Sequence, residues 1–308
     1  MFYISGFYDE AAGSLKAQIE LIKKLGGGYL CPRNLNGKNI ADYTAEEFER
    51  DILPTLKAEG IKLSSLGSPI GKIGLNDDAA YSAQLKKLKE LVKIAAMSGC
   101  KYIRCFSFFT DAGADGGRAY SPEVLKKAAE RFRGFLDVAR GSGIILLHEN
   151  EKKIFGDIPE RVLALYRELN DPNLKLCYDA SNYVQCGADP FDAYEKTRDY
   201  TAYYHMKDCI DGIEVPLGTG SGKIPEIIKD LTDRNYDGFL TLEPHTAKYA
   251  LLKIPFYIIP FLTLTRAGRV FRKIDKDRGI KPLQAVGREE VFVWQYENLL
   301  KIIEDAKK

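Results

Sequence analysis

The sequence predicts a single (β/α)₈ barrel, and three observations carry that expectation. Short apolar runs alternate with longer amphipathic ones, and eight such units can be counted along the 308 residues. Glycines stand where the amphipathic runs end and the next apolar run begins. Polar side chains gather at the ends of the last four apolar runs. Alternating strands and helices imply parallel strands joined by right-handed crossovers. Eight units favour closure over an open doubly wound sheet, and no G-x-G-x-x-G follows the first strand to suggest a dinucleotide site.

Phe2–Phe7 reads as the first strand and Ser14–Leu25 as its helix. Gly28–Cys31 is the second strand. Thr44–Glu59 has helical periodicity, with Thr44 and Glu47 forming a T-x-x-E capping box. Ile61–Leu66 is the third strand, followed by a helix over Asp77–Met97. Tyr102–Phe106 is the fourth, followed by a helix from Ser121–Pro122 to Arg140. Ile144–Leu147, Lys175–Tyr178, Ala202–Met206 and Phe239–Leu242 read as strands five to eight. Helices are expected at Ile158–Leu169, Pro190–Thr197, Ile224–Asn235 and, to close the barrel, Phe292–Ala306. Gly26, Gly60, Gly99, Gly143 and Gly238 occupy the positions where a helix turns back into a strand. Residues 1–308 form one domain, with an insertion at about 249–290 between the eighth strand and the closing helix.

Composition narrows the function classes. Lys plus Arg (45) nearly balances Asp plus Glu (43), leaving +2, which supports neither a nucleic-acid nor a membrane partner. The N-terminus, MFYISGFYDE, lacks the pattern of a secretory signal. The six cysteines show no C-x-x-C pair and read as buried reduced thiols of a cytoplasmic protein. Tyr249–Thr265, YALLKIPFYIIPFLTLT, is strongly apolar but shorter than the ~20 residues of a spanning helix, and it contains Lys253, Pro255 and Pro260. It reads as a loop insertion covered by the barrel rim or by another subunit, so a homo-oligomer is compatible with the sequence.

The chemistry lies at the strand ends, where barrels of this kind carry their active sites. The fifth strand ends LLHEN (His148, Glu149), the sixth CYDASN (Asp179, Asn182), the seventh YYHMKD (His205, Lys207, Asp208) and the eighth TLEPH (Glu243, His245). One carboxylate at a strand end can simply cap the following helix. Four consecutive strands delivering Glu149, Asp179, His205 and Glu243 to one rim instead suggest one divalent metal. Three carboxylates around one histidine are unfavourable without a cation. The donor set suits Mn²⁺, Co²⁺, Mg²⁺ or Zn²⁺ and does not choose among them.

Several stretches resemble signatures of the xylose-isomerase-like sugar isomerase and epimerase family: SSLGSPIGKI (Ser64–Ile73), YIRCFSFF (Tyr102–Phe109), LLHENEKKIFGD (Leu146–Asp157), YDASNYVQCG (Tyr178–Gly187), YYHMKD (Tyr203–Asp208) and GFLTLEPH (Gly238–His245). The resemblance covers most of residues 1–248. It implies a metal held by Glu149, Asp179, His205 and Glu243, with Glu149 and Glu243 also moving the proton beside a sugar carbonyl through a metal-stabilised enediolate. The substrate implied is a small sugar or sugar derivative. The chain departs from the family's ketose epimerases at Asn182, where a histidine is common. Asn can hydrogen-bond a hydroxyl but cannot take up a proton at neutral pH.

Lys207 is a further catalytic candidate, placed to polarise a substrate oxygen. Arg104, Lys72 and Arg33, at the ends of the fourth, third and second strands, are candidates with Asn182 for binding substrate. His148 and His245 neighbour expected ligands, and strand alternation assigns them to the opposite face. Leu217–Gly222 (LGTGSG) reads as a glycine turn in preference to a phosphate cradle. Among other readings, a lyase or dehydratase acting on a keto-sugar or keto-inositol would use the same metal platform. An abasic-site endonuclease is disfavoured because its metal cluster needs many histidines and this chain has three. A binding module without catalysis would leave a full ligand set unused.

Overall fold

The structure, a computed structural model, describes residues 1–110 and 121–308. Seven parallel strands form one curled sheet in the order first (Phe2–Gly6), eighth (Gly238–Leu242), seventh (Thr201–Met206), sixth (Leu174–Asp179), fifth (Ile145–Glu149), fourth (Tyr102–Cys105) and third (Leu66–Ile70). The second strand, Tyr29–Leu30, closes the circle. It pairs in parallel with Lys62–Leu63, and the next amide, Cys31 N–H, donates to Gly6 O at 3.1 Å. The barrel fold predicted from the eight-fold alternation is therefore present.

Strand alternation gives the barrel two kinds of interior. Outward side chains such as Ile103, Leu146, Leu176, Tyr178, Tyr204, Leu240 and Leu242 pack under the helices in the main core. Inward side chains ascend in layers. At the lower end Tyr3, Tyr102, Tyr203 and Phe239 fill the bore with ring contacts, Tyr102–Tyr203 at 5.9 Å and Tyr203–Phe239 at 5.6 Å. Above them runs a buried hydrogen-bond chain: Ser5 Oγ to Ser64 Oγ at 2.6 Å, Ser64 Oγ to Tyr203 Oη at 2.8 Å, and Thr241 Oγ1 to Tyr203 Oη. Two residues further along each strand the same parity brings Arg104, Glu149, Asp179, His205 and Glu243 to the rim. A filled bore beneath a polar mouth is what this architecture requires.

Several element boundaries differ from the sequence expectation. The single helix expected over Thr44–Glu59 is two, Ala45–Asp51 and Leu53–Ala58, because Pro54 has no amide proton to continue the first. The Thr44–Glu47 capping box is present. The third strand is split and reaches Ile70. Left-handed glycines occur at Gly26, Gly60, Gly99 and Gly143 as expected, but before the eighth strand that conformation falls on Asn235 and not on Gly238.

The insertion is helical, not a loop. It consists of Ala247–Ile258, Pro260–Thr263 and Arg266–Arg278, and the closing helix begins at Arg288. Lys253, which interrupts the apolar stretch in the sequence, is fully buried. Its ammonium donates to Asp275 Oδ2 at 3.0 Å and to the carbonyls of Lys281 and Pro282 at 2.8 Å each, while Tyr249 and Tyr257 donate their hydroxyls to the same aspartate. Val215, Tyr249, Val270, Phe271, Ile274, Val291 and Trp294 form a separate small core beneath it. The barrel rim does not cover the remaining face: Leu251, Ile258, Phe261 and Leu264 are 64–75% exposed. Among the described residues no helix is long and apolar enough to cross a membrane.

Candidate metal and catalytic site

Each of the four expected ligands comes from an adjacent strand end. Glu149 and Asp179 are the last residues of the fifth and sixth strands, His205 lies one residue before the end of the seventh, and Glu243 lies one residue past the eighth. All four are buried, and one ligand atom from each lies within 4.8 Å of the others. His205 Nδ1 is 3.1 Å from both Glu149 Oε1 and Glu243 Oε2. A cation about 2.1 Å from two donors at right angles separates them by about 3.0 Å, so the spacing suits one six-coordinate divalent ion.

Asp179 does two things. Its Oδ1 accepts the Asn182 amide at 2.8 Å and caps the helix Ala180–Gln185, the bland role open to any carboxylate at a strand end. Its Oδ2 is buried and accepts no hydrogen bond of good geometry, and the same is true of Glu243 Oε2. Both oxygens lie close to cations without being well aligned to them, since Lys207 Nζ is 2.8 Å from the first and His205 Nδ1 3.1 Å from the second. Oxygens in this state retain the lone pairs a metal would take, and the residues present therefore fit one.

The rest of the cluster is built from cations. Arg104 lies at the floor of the site, where Nη1 donates to Glu149 Oε2 at 3.1 Å and to Glu243 Oε1 at 3.0 Å. Its other nitrogens reach Ser68 O and Gly67 O. Phe7 and Phe106 pack against its guanidinium at 4.9 and 5.1 Å. Arg104 is thus buried against the two glutamates and holds them together. Lys207 is 3% exposed, which sets aside the solvated rim lysine as an explanation. Asn182 Oδ1 accepts from its ammonium at 2.9 Å. Asn182 Nδ2 in turn donates to Asn150 O at 2.8 Å, and Asn150 brackets the Asp179 peptide through two hydrogen bonds of 2.9 Å.

The acidities follow from this packing. Burial pushes the Glu149 carboxyl up, but neighbouring His205 and Arg104 bring it down to about 2. Glu243 is likewise buried yet held well below the usual carboxylate range by Lys207, His205 and Arg104. Asp179 goes the other way, to about 6, because burial outweighs the attraction of Lys207. Burial alone would lower His205, but Cys177, Glu149 and Glu243 hold it well above its ordinary value. Lys207 is kept protonated by Asp179 and Glu243 against the cost of burial.

Arg33 and Lys72 line the mouth, each already engaged. Arg33 Nε donates to Asp9 Oδ2 at 3.0 Å and Nη2 lies 3.5 Å from Glu10 Oε1, while Lys72 pairs with Glu151 at 2.9 Å. Sequence reasoning did not single out Asp9, Glu10, Asn150 or Glu151. The run YDE directly after the first strand carried the same strand-end signal that identified the last four strands. His148 points outward as alternation requires, edge-on to Phe132 at 5.8 Å, and burial lowers it to about 4. His245 faces the site, against the expectation: it lies two residues past Glu243, a spacing that alternation puts on the same face, and it has a positive φ of 51° beyond the strand end at Leu242. There Nδ1 is 2.9 Å from Glu10 Oε1 and Nε2 is 3.8 Å from Glu243 Oε1. The glycine loop is a turn wrapped around Asp208, whose carboxylate accepts the amides of Gly218, Gly220 and Gly222 at 2.8–3.0 Å. An anion nest filled by the chain's own carboxylate is not a phosphate cradle.

The family model described as xylose isomerase-like TIM barrel matches residues 11–259. The chain belongs to that family. Among curated relatives, the 3-dehydroshikimate dehydratase of Bacillus anthracis is 23% identical over 232 residues, covering 69% of this chain and 80% of the relative. Among solved structures, a xylose isomerase-like TIM barrel protein from Mycobacterium smegmatis in complex with magnesium superposes with a TM-score of 0.67 at 16% identity, covering 99% of this chain and 97% of that one. An L-ribulose 3-epimerase gives 0.67 at 15% identity, covering 100% and 96%. At these identities the structural likenesses establish the fold. The family's epimerases, isomerases and dehydratases make this an enzyme fold in which more than one reaction has been realised.

Proposed function

We propose that the protein is a divalent-metal-dependent isomerase or epimerase of a small sugar or sugar derivative. The observation that carries this reading is the convergence of Glu149, Asp179, His205 and Glu243 within 4.8 Å at the barrel mouth, with a buried ammonium beside them. Those four side chains would hold the ion, which would supply electrostatic stabilisation to negative charge developing on the substrate's oxygens. Arg104 fixes the two glutamates relative to one another. Asn182 holds the Lys207 ammonium over Asp179, where it can donate a proton or a hydrogen bond to a substrate oxygen.

Glu149 and Glu243 are the groups for removing and returning a proton beside the carbonyl. Their strong acidity guarantees the ionised form, but it also makes them weak bases by Brønsted behaviour. Arg33, Lys72, Arg104 and Lys207 each already face a carboxylate.

A dehydratase is the second reading, favoured by the Bacillus anthracis relative. The two begin with the same proton removal and part at the product. Metal-loaded protein in D₂O with a panel of ketoses, inositols and keto-sugars tests both. An isomerase or epimerase exchanges a carbon-bound hydrogen for deuterium and keeps every heavy atom of the substrate, whereas a dehydratase loses one water. Absence of metal-dependent exchange with every class would overturn both.

A further inference from the structure

The insertion has a second face that the barrel does not use. Of the ten large apolar residues exposed on the described chain, six lie between Leu251 and Leu264: Leu251, Leu252, Ile258, Ile259, Phe261 and Leu264. Phe261 and Leu264 are 70% and 75% exposed, in and just after the short helix Pro260–Thr263 that links the helices Ala247–Ile258 and Arg266–Arg278. The helices that present this segment are anchored from behind by the buried Lys253–Asp275 pair and the core around Trp294. The apolar tip is therefore held outward on a rigid base.

The segment that carries the tip is basic. Between Thr246 and Gly279 eight lysines and arginines face two aspartates, a net of +6, although the whole chain carries only +2. Asp275 is buried against Lys253 and Asp277 pairs with Lys273, so both acids are already matched. Lys248, Arg269, Arg272 and Lys276 have no carboxylate partner among the described residues. Arg269 Nη1 donates to the Leu264 carbonyl at 2.8 Å, which places a cation directly beside the exposed tip. Lys248 shares a helix face with Leu251 and Leu252, three and four residues on.

We propose that this insertion docks the protein onto an anionic lipid surface. The segment Ile258–Leu264 enters the boundary between headgroups and acyl chains, and Lys248, Arg269, Arg272 and Lys276 meet the lipid phosphates. Apolar side chains backed by cations form the signature of a surface-lying element, and no described helix is able to span the bilayer. A second copy of this chain is the weaker partner for the same face, because the contact would bring two segments of +6 together. The near-neutral total charge conceals this patch, since the rest of the chain is correspondingly acidic. The inference is independent of the reading of the metal site.

Co-sedimentation of the full chain with vesicles tests it, using phosphatidylcholine alone or phosphatidylcholine mixed with phosphatidylglycerol. Binding is expected only to the mixed vesicles and is weakened by added salt. Phe261→Ser with Leu264→Ser should abolish it. Arg269→Gln with Lys276→Gln should lower the partition coefficient about 25-fold, taking about fivefold for each cation removed. All these positions are exposed, so the variants should melt with the parent and bind metal equally well. No binding to the mixed vesicles overturns the proposal, as does equal binding to neutral ones or binding that neither double variant reduces. Light scattering that shows a dimer, made monomeric by Phe261→Ser with Leu264→Ser, would assign the face to a second copy and overturn it as well.

Discussion

Lys207 Nζ stands 2.8 Å from Asp179 Oδ2, one of the two buried oxygens left for a metal, and 3.7 Å from the other at Glu243. With Arg104 it matches two of the three buried carboxylates, and a proton on His205 matches the third. The cluster is thus neutral without a metal when His205 is charged. A divalent ion must compete with that ammonium and displace that proton.

Removing the ammonium should therefore separate binding from turnover. Lys207→Met is expected to raise metal affinity, because a competing cation is gone. The metal-free protein should melt lower, since Asp179 loses its nearest positive charge. If Lys207 donates the proton or hydrogen bond to a substrate oxygen, turnover at saturating metal should drop ~10²–10⁴-fold. Titration calorimetry paired with rate measurements decides this, and undiminished turnover would remove Lys207 from the mechanism.

Metal uptake should release protons, with a definite sign in pH. His205 is held above its ordinary value and Asp179 at about 6 in the cluster. The metal binds the deprotonated forms, so apparent affinity should fall as pH is lowered from 8 towards 6 and recover on return. Calorimetry in two buffers of different ionisation enthalpy reads the proton count directly. A buffer-independent heat at pH 7 would mean that His205 is already neutral in the metal-free protein.

The barrel and the four side chains that converge at its mouth were readable in the sequence because both depend on short-range regularities. Strand and helix alternate at fixed intervals, and Glu149, Asp179, His205 and Glu243 each sit at or within one residue of a strand end. His148 was placed correctly because it lies inside a strand, where alternation holds. His245 was not, because it stands two residues from Glu243, a spacing that alternation itself places on the same face. The helices of the insertion were hidden for another reason. Lys253 and Pro255 read as breaks in an apolar run, and only the distant Asp275 makes Lys253 a buried anchor. Nor did the sequence show that Arg104 would donate to both Glu149 and Glu243. Pairings over such sequence distances leave no local pattern.

The insertion should depend on its buried pair. Lys253→Met leaves Asp275 with two tyrosine hydroxyls and no cation, and breaking a buried ion pair from one side costs about 3–5 kcal/mol. Lys253→Met with Asp275→Asn should regain part of that loss. The only tryptophan, Trp294, lies in the same small core, 6.2 Å from the Tyr249 ring, so its fluorescence follows the insertion during urea unfolding. A Trp294 transition unmoved by Lys253→Met would show that the pair does not hold these helices.

The two glutamates pose the sharpest question, because their predicted roles conflict. As ligands held by Arg104 and His205 they are strongly acidic, and as proton carriers they would work better if they were less so. Glu149→Gln and Glu243→Gln keep an oxygen donor, so metal affinity should fall without vanishing, while the capacity to carry a proton is lost. Asp179→Asn should act mainly through the metal, and excess Mn²⁺ or Co²⁺ should restore much of its activity. The comparison is made at saturating metal, with occupancy checked by elemental analysis. Glutamine variants that stay ~10²–10⁴-fold slow at full occupancy carry the proton in the native enzyme. Variants that regain near-native turnover would reduce both glutamates to ligands. The proton carrier would then have to be sought elsewhere, first at Lys207, whose ammonium lies 3.7 Å from Glu243 Oε2.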